Sequence, residues 1–315
     1  MKNRKLINDL RSCAKNILAT ARELEAAGDA PSPSPLDIIS AEVLSPAGGA
    51  HKQVLPLVLG RDDFGENLVV DLARLPHLLI GGASGQGKSS CLRSLIAGLV
   101  ACRGPGEVRF IIHDPTSFEF LDAAGLRHMC GPVCNSPRDM MRAFVSLMGE
   151  IGRRNRMLIA TKCCNIAAFN KRKISEDNGF PEKLPYIVVF IDEIAGLMEA
   201  YGRRAFESRM VSLVRFARPV GVHFVLTTRR MEGIAAFTDK MKEYFPARLA
   251  FRTLDEQDSR AIIGEAGAER LLRSGDFMFR HYSYDVTYGQ GAYVNDLGEM
   301  WGQKCGDRPS RGLRF

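Results

Sequence analysis

A glycine-rich stretch, Gly82, Ala83, Ser84, Gly85, Gln86, Gly87, Lys88 and Ser89 with Ser90 behind it, fits the phosphate-binding pattern G-x-x-x-x-G-K-[ST]. Glycines allow successive backbone N–H groups to turn toward a β-phosphate, and the positive end of a following helix adds charge of the right sign. In this pattern Lys88 reaches the β- and γ-phosphates, and the Ser89 hydroxyl ligates Mg²⁺. A second motif, Asp192-Glu193, closes the apolar run Tyr186 to Ile191. Carboxylates at the carboxyl end of a buried parallel strand lie in the crevice where phosphates bind. Asp192 is assigned to Mg²⁺ through its waters, and Glu193 to polarising the water that attacks the γ-phosphate. Acids also favour the first turn of a helix, so the pair could do no more than open one. Together the two motifs read as an ATP hydrolase, with ATP and Mg²⁺ as cofactors.

Such residues need a strand before the loop and a helix after it. Leu78-Leu79-Ile80 supplies the first, and Leu92, Leu95, Ile96, Leu99 and Val100 mark one face of the second. Further strands are expected near 54–59, 77–81, 107–113, 186–191 and 222–227, then at 248–252, 276–281 and 286–294, with helical stretches between several. The alternation implies an α/β fold with a mainly parallel central sheet covered by helices on both faces. Residues 3–27 read as a short helix ending by Gly28, followed by the stiff Pro31-Ser-Pro-Ser-Pro35 linker and a break at Pro46-Ala-Gly-Gly49. The expected division is therefore 1–50 as helix and linker, 51–300 as the ATPase domain, and 301–315 as a basic tail.

With 315 residues and 45% hydrophobic content the chain can bury a large core. It has no run of about 18 apolar residues that could span a bilayer. Its basic start, Met1-Lys-Asn-Arg-Lys5, leads into charged positions rather than a secretory apolar region, so a cytoplasmic location is expected. Eight cysteines in a chain of this length are read as reduced thiols. His128, Cys130 and Cys134 only faintly resemble metal ligands, since no second Cys/His pair sits at zinc spacing. The net charge of +7 is concentrated: Arg153, Arg154, Arg156, Lys162, Lys171, Arg172 and Lys173 form a cluster that suits either a nucleic-acid backbone or a solvated helix face.

Several blocks in one order carry a more specific signal. They are Leu59-Gly60-Arg-Asp, Asp71-Leu-Ala-Arg-Leu-Pro-His77, the phosphate loop, Val108-Arg-Phe-Ile-Ile-His-Asp114-Pro115, Pro185 to Glu193, and Asp258-Ser-Arg260 with Gly267 to Asp276. Over about residues 51 to 295 the chain resembles the motor domain of the FtsK/SpoIIIE family of DNA translocases. The resemblance implies a RecA-like fold, a homo-hexameric ring around double-stranded DNA, and ATP sites at subunit borders. It implies DNA-contacting roles for Arg153, Arg154, Arg156, Lys171, Arg172 and Lys173. Arg218, in Ala217-Arg218-Pro-Val-Gly221, matches the segment that carries an arginine finger, with Arg215 as the alternative.

After the strand ending at Leu226 the family usually has Ala-Thr-Gln-Arg-Pro, whereas this chain reads Thr227-Thr228-Arg229-Arg230-Met231. Arg229 thus replaces the glutamine expected to sense the γ-phosphate, and is taken as a catalytic candidate. Thr116 and Cys164 stand where a lysine and an arginine are usual. The match lacks the family's long membrane anchor and its carboxyl-terminal winged helix. The expectation is a minimal, soluble motor for DNA segregation or mobile-element transfer, drawing membrane attachment or direction from a partner protein. The alternatives are a related secretion or packaging ATPase, and a weakly hydrolysing ATP- and DNA-binding adaptor.

Overall fold

A computed structural model describes residues 34, 37, 38, 53–172, 180–229, 239–282 and 285–294. The amino-terminal helix and linker, Lys173, Arg230, Met231 and the basic tail expected from the sequence lie outside the described residues. The strands are β1 (Pro56–Asp62), β2 (Asn67–Asp71), β3 (Leu78–Gly81), β4 (Val108–His113), β5 (Tyr186–Ile191), β6 (Val222–Thr228), β7 (Ala247–Phe251), β8 (Asp276–His281) and β9 (Thr287–Gly291). The helices are α1 (Lys88–Cys102), α2 (Pro137–Ala160), α3 (Ile166–Lys171), α4 (Ile194–Tyr201), α5 (Arg203–Ala217), α6 (Asp239–Tyr244) and α7 (Glu256–Ile263).

All nine strands join one sheet in the order β2-β1-β9-β8-β7-β3-β6-β5-β4. The five strands from β7 to β4 run parallel, and the remaining four add antiparallel pairs. The parallel core expected from the sequence is therefore present, extended by an antiparallel half. Within it the strands read as unbroken apolar runs because both faces are buried. Along β5, Ile187, Val189 and Ile191 enter one hydrophobic cluster while Val188 and Phe190 enter the other. α2, α4, α5 and α7 cover the first face; α1 covers the second, packed against β1.

Local sequence sets the helix ends. Ser136 caps α2 by accepting from the Asp139 N–H at 3.2 Å, with Pro137 at the first helical position. Asn165 accepts from the Ala168 N–H to start α3, and Asp255 accepts from the Asp258 N–H to start α7, which Gly264 ends in the left-handed region. Among the described residues no helix is long and apolar enough to cross a membrane.

Candidate nucleotide site

β3 delivers the phosphate loop to the carboxyl edge of the sheet, and its short, fully buried run fixes where the loop starts. Two glycines there are sterically required. A Cβ on Gly82, whose φ is +145°, would stand 2.8 Å from Phe251 Cβ, and Gly87 has φ +108° immediately before α1. α1 begins with no side-chain cap and no acid in its first turn. Its amino-terminal N–H groups are thus left for an anion, which the helix dipole also favours. Lys88 is buried and donates to the Gly82 and Ala83 carbonyls, both at 2.8 Å. Burial pushes its ammonium down to about 8, against the opposing pull of Glu193 and Asp192.

Chain segments just after β7 and just before β8 brace this loop. Ser274 Oγ donates to Gly85 O at 3.1 Å, Gly275 N–H donates to Gln86 O at 3.2 Å, and Ala83 N–H donates to Arg252 O at 2.8 Å. Gln290, on β9, donates in turn to Ser274 O. Ser274 and Gly275 fall in the Gly267 to Asp276 block, but nothing in that block or in the interior strand β9 signals a contact with the phosphate loop.

β5 brings the acidic pair to the same edge, with one strand, β6, between it and β3. Ser89 Oγ donates to Asp192 Oδ2 at 3.0 Å, so the two sequence motifs meet although 103 residues apart. Thr227 Oγ1, wholly buried on β6, donates to Asp192 Oδ1 at 2.8 Å and accepts the Glu193 N–H at 2.9 Å. Thr227 is a site residue the sequence flagged only as a departure; a hydroxyl ending an apolar strand was the available signal. Glu193 stands in the left-handed region, φ 58° and ψ 90°, and its Oε1 caps α4 by accepting the Ala195 N–H at 3.2 Å. The acidic pair does open a helix, through the Glu193 cap, and that does not displace it from the phosphate loop, since Asp192 beside it meets Ser89.

Arg229 Nε lies 3.0 Å from Glu193 Oε2. The N–H is not aimed at that oxygen, which has no formed hydrogen bond, so the contact is an ion pair by proximity. Burial raises the Glu193 carboxyl above its usual range, opposed by the cap bond from Ala195 and then by the Arg229 and Lys88 charges. The Ser89 hydroxyl and Asp192 carboxylate are hard oxygen donors, the kind Mg²⁺ takes. Among the described residues no three His, Cys, Asp or Glu side chains could hold a metal. An ion here would complete its shell from phosphate oxygens and water.

The remaining candidates lie elsewhere. Arg218 is exposed in a 3-10 turn before the amino end of β6; burial lowers nearby His77 and His223, and the Arg218 charge adds a smaller push in the same direction. The phosphate loop leaves the carboxyl end of β3, where Gly81 pairs with Thr228 at the far end of β6. A strand of seven residues separates them, roughly 20 Å. Arg218 cannot serve its own loop. Arg215, beside it, is exposed with its guanidinium 5.3 Å from the Phe216 ring centroid.

The basic cluster divides. Arg154 is a correction to the expectation of DNA contact: it is fully buried, with Nε 2.6 Å from Glu150 Oε1 and Nη1 donating to the Pro185 and Val220 carbonyls. Arg153 grips the same carboxylate through two bonds of 2.7 Å. Burial alone would raise Glu150, but hydrogen bonds from Arg153 and Arg154 hold it below the usual carboxylate range. Arg172 folds over the Phe169 ring at 3.5 Å and donates to the Phe169, Pro181 and Glu182 carbonyls, so it is also occupied internally. Arg156, Lys162 and Lys171 remain exposed. Removing one partner of a buried ion pair typically costs about 3–5 kcal/mol. Arg154→Ala is accordingly expected to lower unfolding stability by about that much in a denaturant titration. Unchanged stability with weakened DNA binding would reverse the assignment.

Cys130 and Cys134 are core thiols pushed up to about 12 by burial, and His128 stacks on Phe110 with Nε2 2.9 Å from Arg103 O.

A phosphate loop and an acid-tipped strand flanking one central strand define a RecA-like phosphate-loop ATPase fold. The cytoplasmic domain of the Thermomonospora curvata type VII secretion ATPase EccC shares that fold, with a TM-score of 0.71 and 21% identity over 90% of this chain and 36% of that one. The pCW3 conjugation coupling protein TcpA, with ATPgS, superposes at a TM-score of 0.67 with 26% identity, covering 79% of this chain and 70% of that one. The FtsK/SpoIIIE family model matches residues 49–233, and the chain belongs to that family. It is 38% identical over 249 residues to the DNA translocase FtsK of Treponema pallidum, covering 79% of this chain and 31% of that protein. The Chlamydia muridarum DNA translocase FtsK is 33% identical over 297 residues, 91% and 37% of the two chains. The chain thus spans about a third of the length of these relatives.

Proposed function

We propose that the chain hydrolyses ATP at the phosphate loop and uses the energy to move double-stranded DNA, working as a ring of like subunits. The observation that carries this reading is the Ser89–Asp192 hydrogen bond, which places the phosphate loop and the acidic pair in one site with Glu193 beside them. The naming of relatives as DNA translocases and of a structural neighbour as a conjugation coupling protein supports DNA as the cargo.

Within the site, backbone N–H groups from Gly85 to Ser90 would hold the phosphates, and Lys88 would exchange its loop carbonyls for β- and γ-oxygens. Ser89 and Asp192 would hold Mg²⁺, which when bound offsets the phosphate charge. Glu193 would orient and polarise the attacking water. Arg218, a strand's length from its own phosphate loop, would act on a neighbouring subunit's site in such a ring. Arg156, Lys162 and Lys171 would make the DNA contacts among the described cations of this cluster, since Arg154 is buried and Arg153 and Arg172 are held by Glu150 and by backbone carbonyls.

The test is the steady-state ATPase rate with and without long linear duplex DNA at two salt concentrations, with single-stranded DNA and Lys88→Ala as controls. Stimulation by duplex that fades with salt supports the motor, because phosphate contacts release counterions. Charge reversal at Arg156 and Lys171 is expected to weaken that stimulation and flatten its salt dependence, each lost phosphate contact removing about 0.9 from the log–log slope. A flat, low rate in every condition would overturn the motor and favour a module that binds without turning over.

A further inference from the structure

We infer that Arg229 is a positioning residue that holds Glu193 out of service until a γ-phosphate draws it away. The inference rests on the nucleotide site proposed above. Oε1 of Glu193 accepts the Ala195 N–H, and Oε2, which makes no hydrogen bond, faces Arg229 Nε at 3.0 Å. A water polarised by Oε2 would have to take the place of that guanidinium. The backbone beneath it is fixed by the Thr227 hydroxyl, so the turn that presents Glu193 stays put while its side chain changes partner.

The contact has the properties of an exchangeable one. Arg229 is 59% exposed and its N–H is not aimed at the oxygen, whereas Glu193 is 16% exposed. A half-exposed pair without a formed hydrogen bond is weak. A guanidinium binds phosphate by a bidentate fork and gains more there than from a single misaligned carboxylate oxygen. Arg229 follows the last residue of β6, and Thr228 at that strand's end pairs with Gly81 at the root of the phosphate loop. The cation therefore stands between the acid and the edge where phosphate binds. A triphosphate, unlike a diphosphate, offers a terminal group in that direction.

The test is a double-mutant cycle read in nucleotide affinity rather than turnover, using ATPγS and ADP with the full chain. Arg229→Ala is expected to weaken ATPγS about tenfold and leave ADP unchanged, within the usual range of coupling between two sites. Glu193→Gln frees Arg229 and is expected to tighten ATPγS severalfold. In the double variant that gain should vanish, because it depends on the arginine. A gain from Glu193→Gln that persists undiminished beside Arg229→Ala would reflect simple repulsion between carboxylate and phosphate, and would overturn the latch while leaving the nucleotide site intact. Equal losses of ATPγS and ADP in Arg229→Ala would overturn it as well, since a merely structural role moves both. Failure of the unaltered chain to bind either nucleotide would overturn the site itself.

Discussion

Replacing Arg218 with alanine is expected to lower duplex-stimulated ATP turnover by about 10³ to 10⁵, the range for a guanidinium donated to a transferring phosphoryl group. Its place at the amino edge of the sheet, a strand's length from its own phosphate loop, makes the sharper form of the prediction a mixing experiment. Arg218→Ala and Glu193→Gln proteins are each expected to be nearly inactive alone. In an equimolar mixture a Glu193-bearing subunit can face an Arg218-bearing neighbour, and about a quarter of the sites in a head-to-tail ring become complete. Activity reappearing on mixing requires action across the border. An inactive mixture, or an Arg218→Ala protein with normal turnover, would remove Arg218 from the reaction and turn attention to Arg215.

Glu193→Gln carries the second large effect. General-base or water-orienting carboxylates contribute about 10² to 10⁴ in rate, so hydrolysis should fall by that factor while ATPγS still binds. The amide keeps an oxygen for the Ala195 N–H, so the cap of α4 survives and a folding defect is not the cause. Single-turnover measurement separates the outcomes. A slow chemical step with intact binding places Glu193 at the attacking water. Loss of binding would instead make it a structural helix cap.

The site was legible in the sequence where its signal is local. The phosphate loop lies between a strand and a helix it adjoins, and Asp192-Glu193 ends an apolar run that could only be a buried strand. What could not be read was decided by partners distant in the chain. Arg154 looks like its neighbours Arg153 and Arg156, and only the meeting of α2 with the carbonyls of Pro185 and Val220 makes it a buried tie. Arg229 meets Glu193 from another strand, and Thr227 becomes a bridge because β6 lies between β3 and β5. β2 was missed because four of its five residues, Asn67 to Val70, are only half-buried at a sheet edge and the fifth is Asp71, so they give no continuous apolar run. The antiparallel half of the sheet was hidden for a different reason: β7 connects to β8 through α7, an alternation that the apolar pattern reads as a parallel crossover although the two strands pair antiparallel.

The position of β3 bears on how the protein is made. Its two neighbours, β6 and β7, are synthesised more than a hundred residues later, and the Ser274 and Gln290 brace later still. During translation the phosphate loop emerges first among the site's parts, yet it has no lateral strand to lean on until most of the domain has left the ribosome. Contacts of such long sequence separation slow folding, and they leave an apolar strand with unpaired edges in the meantime. The nascent chain thus carries its most recognisable motif through synthesis without the strands that flank it in the finished sheet.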